Sequence, residues 1–531
     1  MTRERLMNIV GLVLLLGCFV ASLGRILMTR FSSGEDGKQI VTIRIAHWQL
    51  EGGIRAAFDA IAAEYMKIHP NVRVVQIPIP ERIYGNWAVT QLVGGTAPDI
   101  VAIGKGTNDE RLSRFFEPLT YMMEKPNPYN VGTPLEGVPL RSTFFDGGEG
   151  GYNPALFEYF GIPISAFTIR VYYNADLLRK VTGSGQIPQT FEEFIGVFDK
   201  VREYNKKTGD NLLPVAGSKY NGPMLMDRLF ASQTQKRMAE IFPPFYPNPT
   251  SVTMLRAIAN EDFSMDSPEV RSGVELMLEI AKNMQPGFFQ LLRDDAMFYF
   301  VQGRALAIAS GSWDSTSIRQ QAPFPLAIGP IPLPTQATPR FGANVLGQIS
   351  EAGTNAGVQL GLTRSSKHPE IAKDFLFFIA SEPMQKLWTE VSGWLPAVTV
   401  PPSGDAAAFT PIEDGYLAGV SLRHFGDADM NRVLDSNFYI LTSPDGGVDA
   451  FIDVLRKDVP DAMRADLVRA NRNHLVNTRR TDTLLGAAAW LSLTNTGDQD
   501  LATKFDLIIQ SSSANDRSYN QSSDLLKKLK P

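Results

Sequence analysis

Apolar and polar residues alternate over Val41-Thr42-Ile43-Arg44-Ile45, which predicts a strand. Ile54, Phe58, Ile61, Tyr65 and Ile68 then recur at the spacing of one helix face until Pro70 ends the run. Val72 to Ile77 predicts a second strand, Tyr84 to Val93 a second helix closed by Gly94-Gly95, and Pro98 to Ile103 a third strand. Strands alternating with helices imply βαβ units and a mostly parallel sheet. Ligands of such sheets sit beyond the carboxyl ends of the strands, which makes His47 to Glu51 and Gly104 to Asn108 candidate binding loops.

Pro and Gly are frequent between Glu117 and Asn153, so loops are expected there. Tyr159 to Leu178 then reads as one extended segment. Gly161 and Pro163 punctuate its start, β-branched and aromatic residues fill Phe167 to Tyr173, and Asn174-Ala175-Asp176 turns into a helix. Thr190-Phe191-Glu192-Glu193 opens a further helix with a capping box, and Gly209 closes it. Ser267-Pro268 starts a helix to about Met284, Asp295 to Gln302 forms another, and Ala305 to Ala309 is a strand followed by the loop Gly311-Ser312-Trp313-Asp314. Pro369 to Ala380 and Glu382 to Ser392 are two more helices, the second closed by Gly393. Beyond residue 400 the pattern is largely helical, and the Ser/Asn-rich stretch Ser511 to Ser523 is expected to be a mobile tail. Leu484 to Leu491 is apolar but too short to span a bilayer.

At the N-terminus, Arg3 and Arg5 precede an apolar run from Leu6 to Leu23, the layout of an export signal or a membrane anchor, here residues 1–32. The single cysteine, in Leu15-Leu16-Gly17-Cys18, resembles the lipobox of bacterial lipoproteins. Lipidation at Cys18, an uncleaved anchor and cleavage near Ala21 to Gly24 all fit; each takes the chain out of the cytoplasm, and the first two hold it on the periplasmic or extracellular face of the cytoplasmic membrane. Without a second cysteine, no disulfide is expected.

The composition narrows the function. A chain of 531 residues, 44% hydrophobic and 20% charged, can bury a large core in two or three domains. Its net charge of −5 and the lack of a basic stripe argue against nucleic-acid binding. The five histidines, His47, His69, His368, His424 and His474, are too scattered for a metal site, and neither metal nor cofactor is expected.

Taken in order, several motifs resemble family 1 extracellular solute-binding proteins, the maltose-binding-protein type that captures sugars for ABC importers. They are Ile43 to Trp48, Pro98 to Val101, Gly161-Ile162-Pro163, Tyr172 to Leu177, Gly303 to Ser315, Ser366 to Ser381 and Gly393 to Pro396. The match runs from about 41 to 400, and typical members are about a hundred residues shorter. The resemblance implies an α/β, two-lobe periplasmic-binding-protein fold (type II-like) with a hinge, an interlobe cleft and a helical C-terminal extension. Lobe 1 is expected at 41–164 plus 344–385, and lobe 2 at 165–343 plus 386–531, with Gly161 and Pro163 at the hinge.

The family's ligand loops fall on a definite set of residues. Trp313 matches the tryptophan on which many members stack a sugar ring, and Trp48 and Glu51 follow the first strand where polar contacts lie. Lys105 and Asn108 occupy the loop after the third strand, and Tyr220 lies near a stacking position. Phe167 stands where a relative has an acidic contact, which implies a different sugar or a more apolar ligand, and Trp394 belongs to the Gly-Trp-Leu-Pro turn. A sugar presents apolar C–H faces and a ring of hydroxyls, so aromatic platforms with a few directed polar groups suit it.

Each residue also has a structural reading. Trp313, Trp48 and Trp394 suit a lobe core, Glu51 a helix N-terminus, Asp99 a turn and Trp87 a buried helix face. Phe167, Tyr172 and Tyr173 alternate faces in a strand, so at least one is structural. The expected function is the substrate-binding component of an ABC transporter: a monomer that captures a carbohydrate by lobe closure and delivers it to permease subunits. A tethered sensor or scaffold is the alternative, and a secreted glycan hydrolase is disfavoured because no catalytic motif stands out among the 56 acidic residues.

Overall fold

The computed structural model describes residues 40–104, 107–242, 251–352, 356–402, 404–494 and 499–529. The N-terminal run with Cys18 lies outside them. The main strands are β1 (Val41–His47), β2 (Val72–Pro78), β3 (Ile100–Ile103), β4 (Ile162–Ala166), β5 (Ile169–Asn174), β6 (Leu213–Ala216), β7 (Ala305–Gly311), β8 (Leu326–Gly329), β9 (Gly357–Leu362) and β10 (Leu395–Pro396). They form a six-stranded sheet in the order β10-β4-β9-β3-β1-β2 and a four-stranded sheet in the order β8-β5-β7-β6. The helices used below are α1 (Gly52–Ile68), α2 (Glu81–Val93), α3 (Asn221–Ile241), α4 (Arg293–Val301), α5 (Glu382–Ser392), α6 (Ala428–Asn437), α7 (Val448–Thr494) and α8 (Gln499–Lys528).

The sheets are mixed rather than mostly parallel. β1 pairs in parallel with β2 and β3, as βαβ units require, but β9 runs antiparallel to β3 and β4, and β10 antiparallel to β4. In the second sheet only β6 and β7 are parallel. The reason is topological: β9 and β10 belong to chain returning from the other lobe, which enters the first sheet against the direction of the strands already there.

Two cores follow from the two sheets. The first joins Ile43, Ile45, Phe58, Tyr65, Ile100 and Ile162 to Phe375, Trp388 and Trp394. Fully buried side chains of this size stabilise by about 1.5–3 kcal/mol each. The second joins Val171, Phe194, Phe198, Leu229 and Phe230 to Phe425, Phe451, Leu455 and Leu467. A smaller cluster, with Tyr172, Phe300, Ile308 and Phe409, covers the other face of the second sheet. Because Trp388, Trp394, Ala397 and Val398 lie in the first core, we place the final departure from lobe 1 after Val398 and not at residue 386.

The chain passes between the lobes three times within the described residues. Gly161 and Pro163 are not at the crossing itself: Pro163 pairs with Gln359 inside the first sheet, and the break falls at Phe167–Thr168, between β4 and β5. The second crossing runs from β8 to β9, and the third follows Val398 and reaches Phe409, whose carbonyl accepts from Thr168 Oγ1 at 2.7 Å. A buried ion cluster joins all three. Arg170 of β5 grips Glu351 with both ends of its guanidinium, at 3.1 Å each, Arg228 of α3 adds a contact at 2.8 Å, and Ile412 N donates to Glu351 at 3.0 Å. Arg170 also donates to the Ala408 and Thr410 carbonyls.

The C-terminal extension is an antiparallel helix pair, α7 on α8. Its base, including Phe451, Ile452, Leu455, Val459, Met463, Leu467 and Leu525, belongs to the second core. Ser511 to Ser523, expected to be a mobile tail, is helical because a polar seam holds it: Asn471 donates to Ser522 and Ser523 at 2.8 and 2.7 Å. Farther out, Arg480 meets Asp109 of lobe 1 at 3.4 Å.

His47, at the end of β1, is fully buried, stacks on Phe58 with ring centroids 4.4 Å apart and places Nε2 3.1 Å from Gln76 Oε1. Burial lowers its pKa from 6.5 to about 4. The unfolded chain therefore binds a proton that the native state refuses, and stability falls as pH drops from 6.5 to about 4, by about 3 kcal/mol in all. Urea unfolding at pH 7 and pH 4 should show a smaller loss for His47→Gln than for the wild type; an equal loss would acquit this residue.

Candidate functional site

A cavity of about 460 Å³ opens between the lobes beside the first crossing. Four loops and three helix starts build it. The segment after β1 contributes Trp48, Gln49 and Glu51; the turn after β7 contributes Trp313; the β4–β5 break contributes Phe167; the Gly-Trp-Leu-Pro turn after α5 contributes Trp394. Tyr220 precedes α3, Arg293 opens α4 and Glu81 opens α2. Site and strand ends coincide, as expected for α/β sheets.

The aromatic wall is a chain of edge-to-face rings. Phe167 lies between Trp313 and Trp394, at centroid distances of 5.5 and 5.0 Å, and Trp48 meets Tyr84 edge-on at 5.0 Å. Two glycines make room for it. A Cβ at Gly311 would stand 2.3 Å from the Trp313 ring, and one at Gly357 would stand 2.5 Å from Phe167. Trp394 Nε1 donates to the Trp313 carbonyl at 3.1 Å, which locks the two turns together.

The polar wall is acidic. Glu51 caps the start of α1 in position only, since its side chain makes no capping bond there. Its Oε2 is buried without a partner, as is Oε1 of Gln49, and burial raises the Glu51 pKa. Burial also raises the Tyr220 pKa, against the pull of the Arg293 charge beside it. Arg293 lies over the Tyr220 ring, 5.5 Å from its centroid, and pairs with buried Asp314, which also accepts from Ser310. Burial works against the Arg293 charge, but Asp314 outweighs it and the pKa rises.

Six of the eight residues expected in the site thus line one cavity: Trp48, Glu51, Phe167, Tyr220, Trp313 and Trp394. Asn108 does not line it; the residue is exposed and its side chain accepts from Arg111 N at 3.0 Å, capping the helix Asp109–Phe115. Lys105 lies outside the described residues. Asp99 is structural, accepting from Arg44 N at 2.9 Å and Ser366 Oγ at 2.7 Å, and Tyr172 and Tyr173 are buried. Gln49, Glu81, Arg293 and Gln359 were not singled out from the sequence. Gln49 was within reach, because it stands between Trp48 and Glu51. The other three carry no local signal, since charged residues at helix starts and an amide in a strand are common.

The model of bacterial extracellular solute-binding proteins matches residues 60–409. The chain belongs to this family. An uncharacterised ABC transporter extracellular-binding protein of Pyrococcus horikoshii is 22% identical over 402 residues, 74% of this chain and 79% of that protein. The multiple sugar-binding protein of Streptococcus mutans is 21% identical over 470 residues, 86% of this chain and 98% of the relative. The maltose/maltodextrin-binding domain MalE of Bdellovibrio bacteriovorus bound to maltotriose superposes with a TM-score of 0.50 at 14% identity, covering 80% of this chain and 100% of that one.

This solute-binding protein therefore has the two-lobe α/β fold with a helical C-terminal region, and it is a substrate-binding protein of ABC transporters that works outside the cytoplasm. The family match ends at 409, so the α7–α8 pair lies beyond it. Among the described residues no helix is long and apolar enough to cross a membrane.

Proposed function

We propose that this solute-binding protein captures a carbohydrate in the interlobe cavity and delivers it to the permease of an ABC importer. The observation that carries this reading is the wall of five aromatic residues, drawn from both lobes and meeting polar groups of fixed direction. Aromatic faces match the C–H faces of a sugar, and the acceptors match its hydroxyls. A ligand touching both lobes stabilises the state in which they approach, so binding and lobe closure are one equilibrium. The names of relatives that bind sugars point the same way. On this reading the chain works as a monomer tethered through its N-terminal segment, by a lipid on Cys18 or by an uncleaved helix.

Residues 33–531 should be screened by thermal shift against mono- and oligosaccharides, with a turnover assay on each hit. A ligand at a hundred times its Kd adds about 2.7 kcal/mol to stability. A hit recovered intact supports capture, while a consumed hit makes the protein an enzyme. Trp313→Ala is expected to weaken the hit by about 2 kcal/mol or more, roughly thirtyfold in Kd, with the unfolding midpoint of the free protein little changed. Unchanged affinity removes Trp313 from the site.

A further inference from the structure

The cavity's polar groups are unbalanced, and the imbalance bears on the charge of the ligand. Gln49, 4% exposed, and Glu51 each keep a buried oxygen without a partner, and both follow β1 in one loop. Two donors of the lining are already engaged: Trp394 Nε1 with the Trp313 carbonyl, and the Gln359 amide with the Ala356 carbonyl. Charges are unbalanced in the same sense. Glu51 and Glu81 both line the cavity, and among the described residues the lining holds one cation, Arg293, which pairs directly with Asp314 and reaches Glu51 only through its field.

A neutral hydroxyl satisfies one acceptor but brings an acceptor of its own and leaves the carboxylate charge uncompensated. An ammonium group brings three donors and the missing charge, and its hydrogen bonds to a carboxylate are the strong, charge-assisted kind. Glu51 gains more than Glu81 from such a partner, because Glu81 is exposed to water and Glu51 Oε2 is not. We infer that the cleft takes a polyhydroxylated ligand bearing a protonated amine, with the ammonium on Glu51 and Gln49 and the ring faces on the aromatic wall. This rests on the carbohydrate reading and narrows it to amino sugars or aminated oligosaccharides.

The test is titration calorimetry with three trimers that differ at one position per ring: the β-1,4-linked glucosamine trimer, its fully N-acetylated counterpart and cellotriose. Each is titrated into the wild type and into Glu51→Gln, which keeps the side-chain shape and whose fold is checked by its melting curve. The glucosamine trimer is expected to bind roughly 10- to 100-fold tighter than the two neutral trimers, and Glu51→Gln to erase that preference. A neutral trimer that binds as tightly as the amine, or a preference that survives Glu51→Gln, overturns the inference and leaves the carbohydrate reading standing. Failure of the glucosamine trimer to bind at all also overturns it. Binding of spermidine, an amine without hydroxyls, when no sugar in the thermal screen binds, overturns both readings.

Discussion

Glu351→Ala is expected to destabilise the protein by about 3–5 kcal/mol, the largest single-residue effect outside the aromatic core. Arg170 is 2% exposed and Glu351 7%, so the alanine leaves a buried guanidinium facing nothing of opposite charge, with Arg228 beside it adding like-charge repulsion. Three backbone crossings also lose a shared anchor. Glu351 stands in the β8–β9 crossing, holds Arg170 of β5, and accepts from Ile412 N just past the third crossing. Replacing Arg170 and Glu351 together by Met and Leu should cost less than Glu351→Ala alone, because the fully buried Arg170 charge leaves with its partner and only the partly exposed Arg228 loses one. Urea denaturation reads this as a lower midpoint at unchanged slope. A loss below about 1 kcal/mol would mean that the pair behaves like an exposed one.

The sequence made the parts of the fold legible to the extent that their apolar periodicity was undivided. β1, α1, β2, α2 and β3 follow their predicted order because each shows one clean period between breakers. The β4–β5 break at Phe167–Thr168 falls a few residues past the expected lobe boundary at 164/165, since only Ser165, Thr168 and Arg170 interrupt the apolar run from Ile162 to Tyr173 and no glycine or proline marks the change of sheet. The same continuity made Gly161 and Pro163 look like the hinge, though Pro163 is held in the first sheet by β9. Composition misled at Ser511 to Ser523, where hydrogen bonds from Asn471 replace the apolar seam that periodicity detects. Trp48, Phe167, Tyr220, Trp313 and Trp394 were legible through the resemblance to the family's ligand loops, and the structure brings them to one cavity while Trp394 also serves the first core. Glu81 and Arg293 were not, because their role arises only when the two lobes bring the starts of α2 and α4 to one cavity.

Removing residues 448–531 is expected to abolish folding of the second lobe, although the family match ends at 409. Phe451, Ile452, Leu455, Val459, Met463 and Leu467 are each at most 2% exposed and lie in the second core. At about 1.5–3 kcal/mol per side chain, their burial amounts to roughly 9–18 kcal/mol, as large as the whole stability of an ordinary domain, about 5–15 kcal/mol. Asp466 adds a polar anchor: it accepts from the backbone N–H groups of Asp427, Asp429 and Met430 at 2.8–3.0 Å, capping the start of α6. The outer part of the helix pair behaves differently. Val468, Val476, Trp490 and Leu493 are more than half exposed, and the Arg480–Asp109 pair that reaches lobe 1 is partly exposed and worth about 0–1 kcal/mol. Asn471 and Ser522 face each other, so excising 474–517 and closing the gap with a short glycine linker should leave the melting temperature and sugar binding nearly unchanged. Circular dichroism melts of both deletions distinguish the cases. A folded 1–447 fragment would make the extension a separate module, whereas failure of both deletions would show that the outer helices also support the lobe.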